Sequence, residues 1–244
     1  MKLLSIDLDG TLFNTHAQPT QENLHAIQQA KQNGVTVILN TGRPMQEILE
    51  YPELVALQCP VFCHNGSQLY DEHLRLLSEV SLDLHDVKQA MDQVRHLDFG
   101  IRLQTNKGEF RGYETIQQLN DVVAYKLIFS TTQPKEVLYE VKNFLDKDLF
   151  TCAIESHKSK IEITNKKASK GKAIQLYQEM MSKPFTDIYV IGDGENDLPH
   201  FQAATVSVAM KNAAPSIRKA ADFVTLTNNE NGVAHAIHHI FRLV

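Results

Sequence analysis

Several features that assign a chain to a specialised class are scarce or missing here. Cysteine is scarce: three residues, Cys59, Cys63 and Cys152. An odd, sparse set excludes a disulfide-built scaffold. Cys59 and Cys63 have the C-x3-C spacing of half a zinc site, but no second metal-like pair follows. They read instead as reduced thiols in or beside a buried strand. No stretch approaches the about 18 to 20 uninterrupted apolar residues of a membrane-spanning helix. After Lys2, charge is back by Asp7, which leaves no room for a secretory apolar segment of useful length. A basic excess is also missing. Lys and Arg number 24 against 29 Asp and Glu, a net charge of −5, which argues against a broad nucleic-acid surface. There is no internal repeat and no low-complexity tract. The expectation is a cytoplasmic chain with neither nucleic acid nor membrane as partner. The sequence does not encode its oligomeric state.

The apolar fraction, 43% of 244 residues, is enough for a sizeable core. Its distribution alternates. Lys2–Ile6 has strand composition, and Thr20–Asn33 has helical apolar spacing through Leu24, Ile27 and Ala30. Val35–Leu39 is a β-branched run suited to a strand buried on both faces. Pro44 opens a short helix, and Pro60–Cys63 is a further strand. The same texture returns late. Asp187–Ile191 and Thr205–Ala209 read as strands, and Phe223–Leu226 as a possible last one. Asn196–Ala203, Pro215–Ala220 and Gly232–Leu243 read as helices. The order implies an α/β, doubly wound parallel sheet.

The middle differs. Helical stretches at Asp83–Leu97 and Pro134–Leu145 are interleaved with two expected hairpins. One pairs Gly100–Thr105 with Glu109–Gly112. The other pairs Leu149–Glu155 with Lys160–Thr164 around His157, Lys158 and Ser159. With the strand Ala124–Ser130 this describes an α+β insert. The expected division is 1–80 and 166–244 as one discontinuous core, and 81–165 as the insert.

Parallel α/β sheets form their sites at the carboxyl ends of strands, and most of the unusual clusters lie there. Asp7 and Asp9 follow the first strand, Thr41-Gly42-Arg43 the second, and Asp193, Asn196 and Asp197 a late one. Lys170 opens a helix after the insert. Four carboxylates, a hydroxyl, glycine-flanked amides and one ammonium suit a hard divalent cation together with a phosphate. Asp7 is then the better-placed nucleophile. Asp9, two residues on, suits protonation of the leaving oxygen and later deprotonation of water. Thr41, the Gly42 amide, Asn196 and Lys170 suit the phosphoryl oxygens. Asp193 would complete a metal site, and Asp197 would orient Lys170 or a metal-bound water. Arg43 reads either as a substrate contact or as a structural ion pair, and Asn65 either as a site residue or as a turn. Lys170 is not part of a P-loop, because Lys166 stands where that motif needs glycine. The C-terminal histidines His235, His238 and His239 read as helix-surface residues.

Four signatures, DLDGT at 7–11, TGR at 41–43, Lys170 in SKG and GDGEND at 192–197, resemble those of the haloacid dehalogenase superfamily of phosphohydrolases. The insert position resembles the Cof-type branch, subfamily IIB. The resemblance implies a Rossmann-like core of strand order 5-4-1-2-3 with a C2B-type cap. It implies Mg²⁺ held by the carboxylates of Asp7 and Asp193 and the backbone carbonyl of Asp9. His200 and Lys211 depart from the pattern, since many members carry Met and Gly there. The implied activity is hydrolysis of a small phosphorylated metabolite, such as a sugar phosphate, through an aspartyl-phosphate. A phosphomutase and a phospho-accepting signalling domain remain the alternatives. Substrate selection is expected from insert positions such as His157, Lys158 and Tyr113.

Overall fold

The computed structural model describes residues 1–134, 136–145, 147–155, 159–182 and 184–242. Its elements in chain order begin with β1 (Lys2–Ile6), α1 (Gln21–Gln32), β2 (Val35–Asn40), α2 (Met45–Ile48), α3 (Pro52–Ala56), β3 (Val61–Cys63), β4 (Gln68–Tyr70) and β5 (Leu76–Glu79). The middle holds α4 (Leu84–Val94), β6 (Gly100–Thr105), β7 (Gly108–Arg111), α5 (Tyr113–Gln117), β8 (Ala124–Ser130), α6 (Glu136–Phe144), β9 (Phe150–Glu155) and β10 (Lys160–Asn165). The last stretch holds α7 (Lys170–Met180), β11 (Asp187–Gly192), α8 (Leu198–Gln202), β12 (Val206–Ala209), α9 (Pro215–Ala220), β13 (Phe223–Val224) and α10 (Gly232–Phe241). No helix among the described residues is long and apolar enough to cross a membrane.

Two compact units result: Met1–Leu77 with Lys170–Val244, and Ser78–Ser169. The first is built on an eight-stranded sheet of order β13-β12-β11-β1-β2-β3-β4-β5. The run from β13 to β3 is parallel, and β4 turns back antiparallel on β3. The five strands that the family resemblance implies therefore appear as β12-β11-β1-β2-β3. They are extended by β13 at one edge and by β4 and β5 at the other. The sheet is thus mixed at the β4 end rather than parallel throughout.

β1 is the centre of this sheet. Its Leu3, Leu4 and Ile6 are wholly buried, as a strand covered by helices on both faces requires. α1 presents Leu24, Ile27 and Ala30 to the core, and Thr20 caps it by accepting from the Asn23 amide at 3.2 Å. Asn23 is itself buried, and its Oδ1 accepts from the Ala234 amide at 3.0 Å, which ties α1 to the start of α10.

The second unit is a five-stranded antiparallel sheet of order β7-β6-β8-β10-β9. One face carries the apolar cluster that includes Leu103, Leu127, Phe129, Ile161 and Ile163, packed with Val87, Met91 and Leu138 of the helices. His157 and Lys158 lie outside the described residues. Alternation puts Glu162 and Lys126 on the opposite face, yet both are 2–3% exposed. Lys126 Nζ and Lys160 Nζ donate to Glu162 Oε1 at 2.9 and 2.8 Å, and Lys160 also pairs with Glu155 at 3.0 Å.

This charged cluster makes the second unit acid-sensitive. Burial pushes the Glu162 carboxyl up, but Lys126 and then Lys160 more than offset this and hold it well below its ordinary 4.5. The unfolded chain therefore binds more protons in acid. The stability from Glu162 is fully present above about pH 4.5 and is lost as pH falls toward the depressed folded value. Glu162→Gln is expected to cost about 3 kcal/mol at neutral pH, because two ammonium groups lose their counter-charge. Its denaturant midpoint should also vary less with pH than the wild type below about pH 4.5. Urea titrations at several pH values check both expectations.

Candidate active site

The carboxyl ends of β1, β2 and β11 converge, and the sequence-predicted residues separate into three groups there. The first is a buried charge cluster. Lys170, the first residue of α7, is wholly buried, and its Nζ lies 2.5 Å from Asp7 Oδ1 and 2.7 Å from Asp197 Oδ1. Asp197 Oδ2 accepts from the backbone amides of Asp193 and Gly194 at 3.0 and 2.9 Å. Asp193 receives the hydroxyl of Thr11 at 3.1 Å. Two glycines make the approach possible. A Cβ on Gly10, whose φ is +82°, would fall 2.3 Å from Asp193 Oδ2, and one on Gly192 would fall 2.4 Å from Asp197 Cγ.

Asp7, Asp193 and Asp197 each offer an oxygen within 4.8 Å of the others. One ammonium cannot neutralise three carboxylates, and the protonation tendencies record this. Burial pushes Asp197 up, but Lys170 and then His200 offset it, and it stays below the usual carboxylate range. Asp197 therefore holds the ammonium, which burial disfavours but the two carboxylates keep firmly protonated. Asp7 is left well above the usual range, chiefly by burial and then by the neighbouring Asp197 and Asp193, with Lys170 opposing. Asp193 is pushed up to about 7 by burial and by Asp197. Two under-compensated carboxylates beside a Thr hydroxyl, all hard oxygen donors, fit a divalent cation such as Mg²⁺. Asp197 is less available as a ligand, because both its oxygens are already engaged.

The second group contains Asp9 and Arg43. Asp9 does not share the Asp7 cluster through its carboxylate. Its Oδ2 accepts from Arg43 Nε at 2.8 Å and its Oδ1 from Arg43 Nη2 at 2.7 Å. Of the two readings open for Arg43, the structure displays an ion pair, and its partner is Asp9.

The third group frames the cluster. Thr41 is wholly buried at the end of β2, and its Oγ1 accepts from the Arg43 amide at 3.1 Å across Gly42. Its carbonyl accepts from the Asn65 amide at 2.9 Å, so the N-G turn is part of this frame. Asn65 has φ +56° and accepts at Oδ1 from Asn196 Nδ2 at 3.0 Å.

Three contacts were not foreseen from the sequence. Thr11 stands on Asp193, although its place in DLDGT was signal enough. Asn212 Nδ2 donates to the Gly10 carbonyl at 2.8 Å, and nothing in its local sequence announces that. His200 is wholly buried with Nδ1 3.3 Å from Asp197 Oδ1, and burial pushes its pKa down. The ring is thus neutral, Nδ1–H donates to Asp197, and Nε2 has no hydrogen-bond partner among the described residues.

Comparison with known proteins shows what the whole chain is similar to. Residues 4–114 and 109–237 match the profile described as haloacid dehalogenase-like hydrolase. The protein YxeH of Bacillus subtilis (strain 168) is 31% identical, with 98% of each chain covered. The 5-amino-6-(5-phospho-D-ribitylamino)uracil phosphatase YcsE of the same organism is 29% identical, covering 98% of this chain and 95% of its own. The solved structure of a haloacid dehalogenase-like hydrolase from B. subtilis superposes with a TM-score of 0.88 at 24% identity, covering 98% of this chain and all of the other. The chain belongs to the haloacid dehalogenase-like hydrolase family, in its Cof-type branch.

Proposed function

We propose that this protein is a Mg²⁺-dependent phosphatase that hydrolyses a small phosphorylated metabolite, a sugar phosphate or related phosphomonoester, through an aspartyl-phosphate on Asp7. The observation that carries the reading is the uncompensated pair Asp7 and Asp193 beside the ammonium of Lys170. Such a site lacks positive charge, and a divalent cation with a phosphoryl group fills that need. A Cof-type hydrolase with relatives named as phosphatases is a phosphoric monoester hydrolase in reaction class.

Asp7, Asp193 and the Asp9 carbonyl would hold the ion. When bound, it neutralises the crowded carboxylates and polarises the phosphoryl group. The rest of the chemistry belongs to the chain. An Asp7 carboxylate oxygen bonds to phosphorus as the bond from phosphorus to the ester oxygen breaks. Asp9, having taken a proton from solvent on its exposed side, gives it to that departing oxygen from one oxygen while the other stays on Arg43. Water then attacks the phosphorus of the aspartyl-phosphate, Asp9 takes a proton from the water, and the bond to Asp7 breaks to release inorganic phosphate. Lys170, the Thr41 hydroxyl, the Gly42 amide and Asn196 hold the phosphoryl oxygens, where charge gathers. Asp197 keeps Lys170 charged and aimed. These groups suit any phosphomonoester, so residues 81–165 are assigned the choice of substrate.

The test is phosphate release from a panel of phosphorylated metabolites, with Mg²⁺ and with excess chelator. Turnover is expected only with Mg²⁺, while the thermal melt in chelator stays cooperative, because the site is shared with substrate rather than a closed structural cage. Full activity in excess chelator refutes the metal dependence. An isomerised sugar phosphate in place of free phosphate would make the protein a mutase.

A further inference from the structure

Asp9 stands on the turn after β1, outside any helix or strand, and its side chain is 35% exposed. An acid–base carboxylate in such a place needs something to hold it, because a misplacement of about 1 Å costs on the order of 100-fold in rate. Arg43 meets both of its oxygens with one planar group, at 2.8 and 2.7 Å. The guanidinium is itself fixed on its remaining sides. Nη1 donates to the Tyr51 hydroxyl at 3.3 Å and to Glu47 Oε2 at 3.4 Å. Its carbon lies 5.0 Å from the ring centre of Phe13 and 5.7 Å from that of Tyr51, and the two rings stand 4.7 Å apart. The backbone of Arg43 is pinned as well, the amide on Thr41 Oγ1 and the carbonyl on the His64 amide at 3.1 Å each.

We propose that Arg43 is the positioning residue for Asp9: its two-point fork, braced by Phe13, Tyr51 and Glu47, sets where the acid–base carboxylate stands when the leaving oxygen is protonated. The assignment rests on the reading of Asp9 as that acid. It accounts for a rigid aromatic and acidic setting around a residue that need not touch substrate. It also requires Arg rather than Lys, since an ammonium offers a point contact and cannot fix the plane of a carboxylate.

A positioning role has a signature that a packing or phosphate-binding role does not share. Proton donation matters most when the leaving group is a poor one. Phenyl phosphate and 4-nitrophenyl phosphate have the same ring, and phenoxide is much the poorer leaving group. The experiment measures kcat/KM for both in the Mg²⁺-saturated enzyme, for wild type, Asp9→Asn, Arg43→Ala and Arg43→Lys. Asp9→Asn is expected to lose about 100-fold or more on phenyl phosphate and less than about tenfold on 4-nitrophenyl phosphate. Arg43→Ala should show the same inequality, smaller in size, with Arg43→Lys between it and wild type. Should Arg43→Ala fail to fold, Arg43→Lys supplies the inequality. If the Arg43 variants lower both substrates by one factor, or leave both unchanged, while Asp9→Asn discriminates, the positioning role is overturned and the acid role stands. If Asp9→Asn itself lowers both equally, the acid reading falls, and the positioning role falls with it.

Discussion

Asp7→Asn is expected to lower phosphate release by about 10⁴-fold or more, while the metal-free protein melts no lower than wild type. The first effect follows from the missing nucleophile: an amide cannot form the aspartyl-phosphate. The second follows from charge. Burial and the neighbouring Asp197 and Asp193 raise the Asp7 carboxyl well above its ordinary 3.8. In metal-free protein the folded state thus binds a proton at pH values where the unfolded state has released it, and stability falls as pH rises from about 4 through the raised value. A neutral amide removes that burden, and its Oδ1 can still accept from Lys170. Phosphate release measured with Mg²⁺, beside thermal melting in chelator, tests both halves. Activity within tenfold of wild type would remove the nucleophile assignment, and a large drop in melting temperature would show that Asp7 acts on the fold.

Lys170→Met has the opposite balance. It keeps the length of the side chain and deletes its charge, so Asp7 and Asp197 lose the ammonium that both contact. Breaking a buried pair from one side costs about 3 to 5 kcal/mol, roughly a 10 °C fall for a domain of this size. Turnover should fall with every substrate alike. With the cation gone, all three carboxylates resist ionisation, so the variant should regain stability as pH falls toward about 5. Added Mg²⁺ should restore part of the loss at neutral pH. Melts across pH, with and without Mg²⁺, check this. A variant as stable as wild type in chelator at neutral pH would mean that the cluster is already protonated and that Lys170 does not balance it.

What was legible in the sequence was mainly what is local. The periodicity of Leu24, Ile27 and Ala30 gives α1, and the β-branched run gives β2, because burial on one or both faces leaves a regular trace. Other elements, α3 among them, left no such trace. β4 has three residues and β5 presents mostly exposed side chains, while α5 is a five-residue turn with one buried residue, Ile116. Segments this short take their form from their neighbours rather than from their own pattern. The expected helix over Asn196–Ala203 is a 3-10 turn at Glu195–Asp197 followed by α8, since Pro199 opens the α-helical part and Asp197 turns its carboxylate back to the Asp193 and Gly194 amides.

In the site, strand-end placement brings Asp7, Asp193 and Asp197 together, and this follows from strand order; Lys170 comes instead from the first turn of α7 and was read through its SKG stretch. The fork between Arg43 and Asp9 does not follow from strand order, because it depends on rotamers and on Phe13 and Tyr51, which no motif singles out. The burial of His200 against Asp197 likewise needs three dimensions: a histidine on a short helix carries no mark of what it faces.

The central strand has a consequence for how the chain comes to be. β1 is made first, yet one of its two partners, β11, starts at Asp187, after the whole of the second unit has been synthesised. β2 can join β1 early, while the other edge of β1 waits as an open row of amide and carbonyl groups flanked by Leu3, Leu4 and Ile6. The pairings of greatest sequence separation form last and most slowly. The contact of Lys170 with Asp7 spans 163 residues, and that of Thr11 with Asp193 spans 182. A ribosome-bound chain therefore holds its reactive carboxylate for most of its synthesis without the groups that would activate it. Its sticky period coincides with translation of the insert, and slower translation through residues 78–169 should lengthen the exposure of that edge to aggregation.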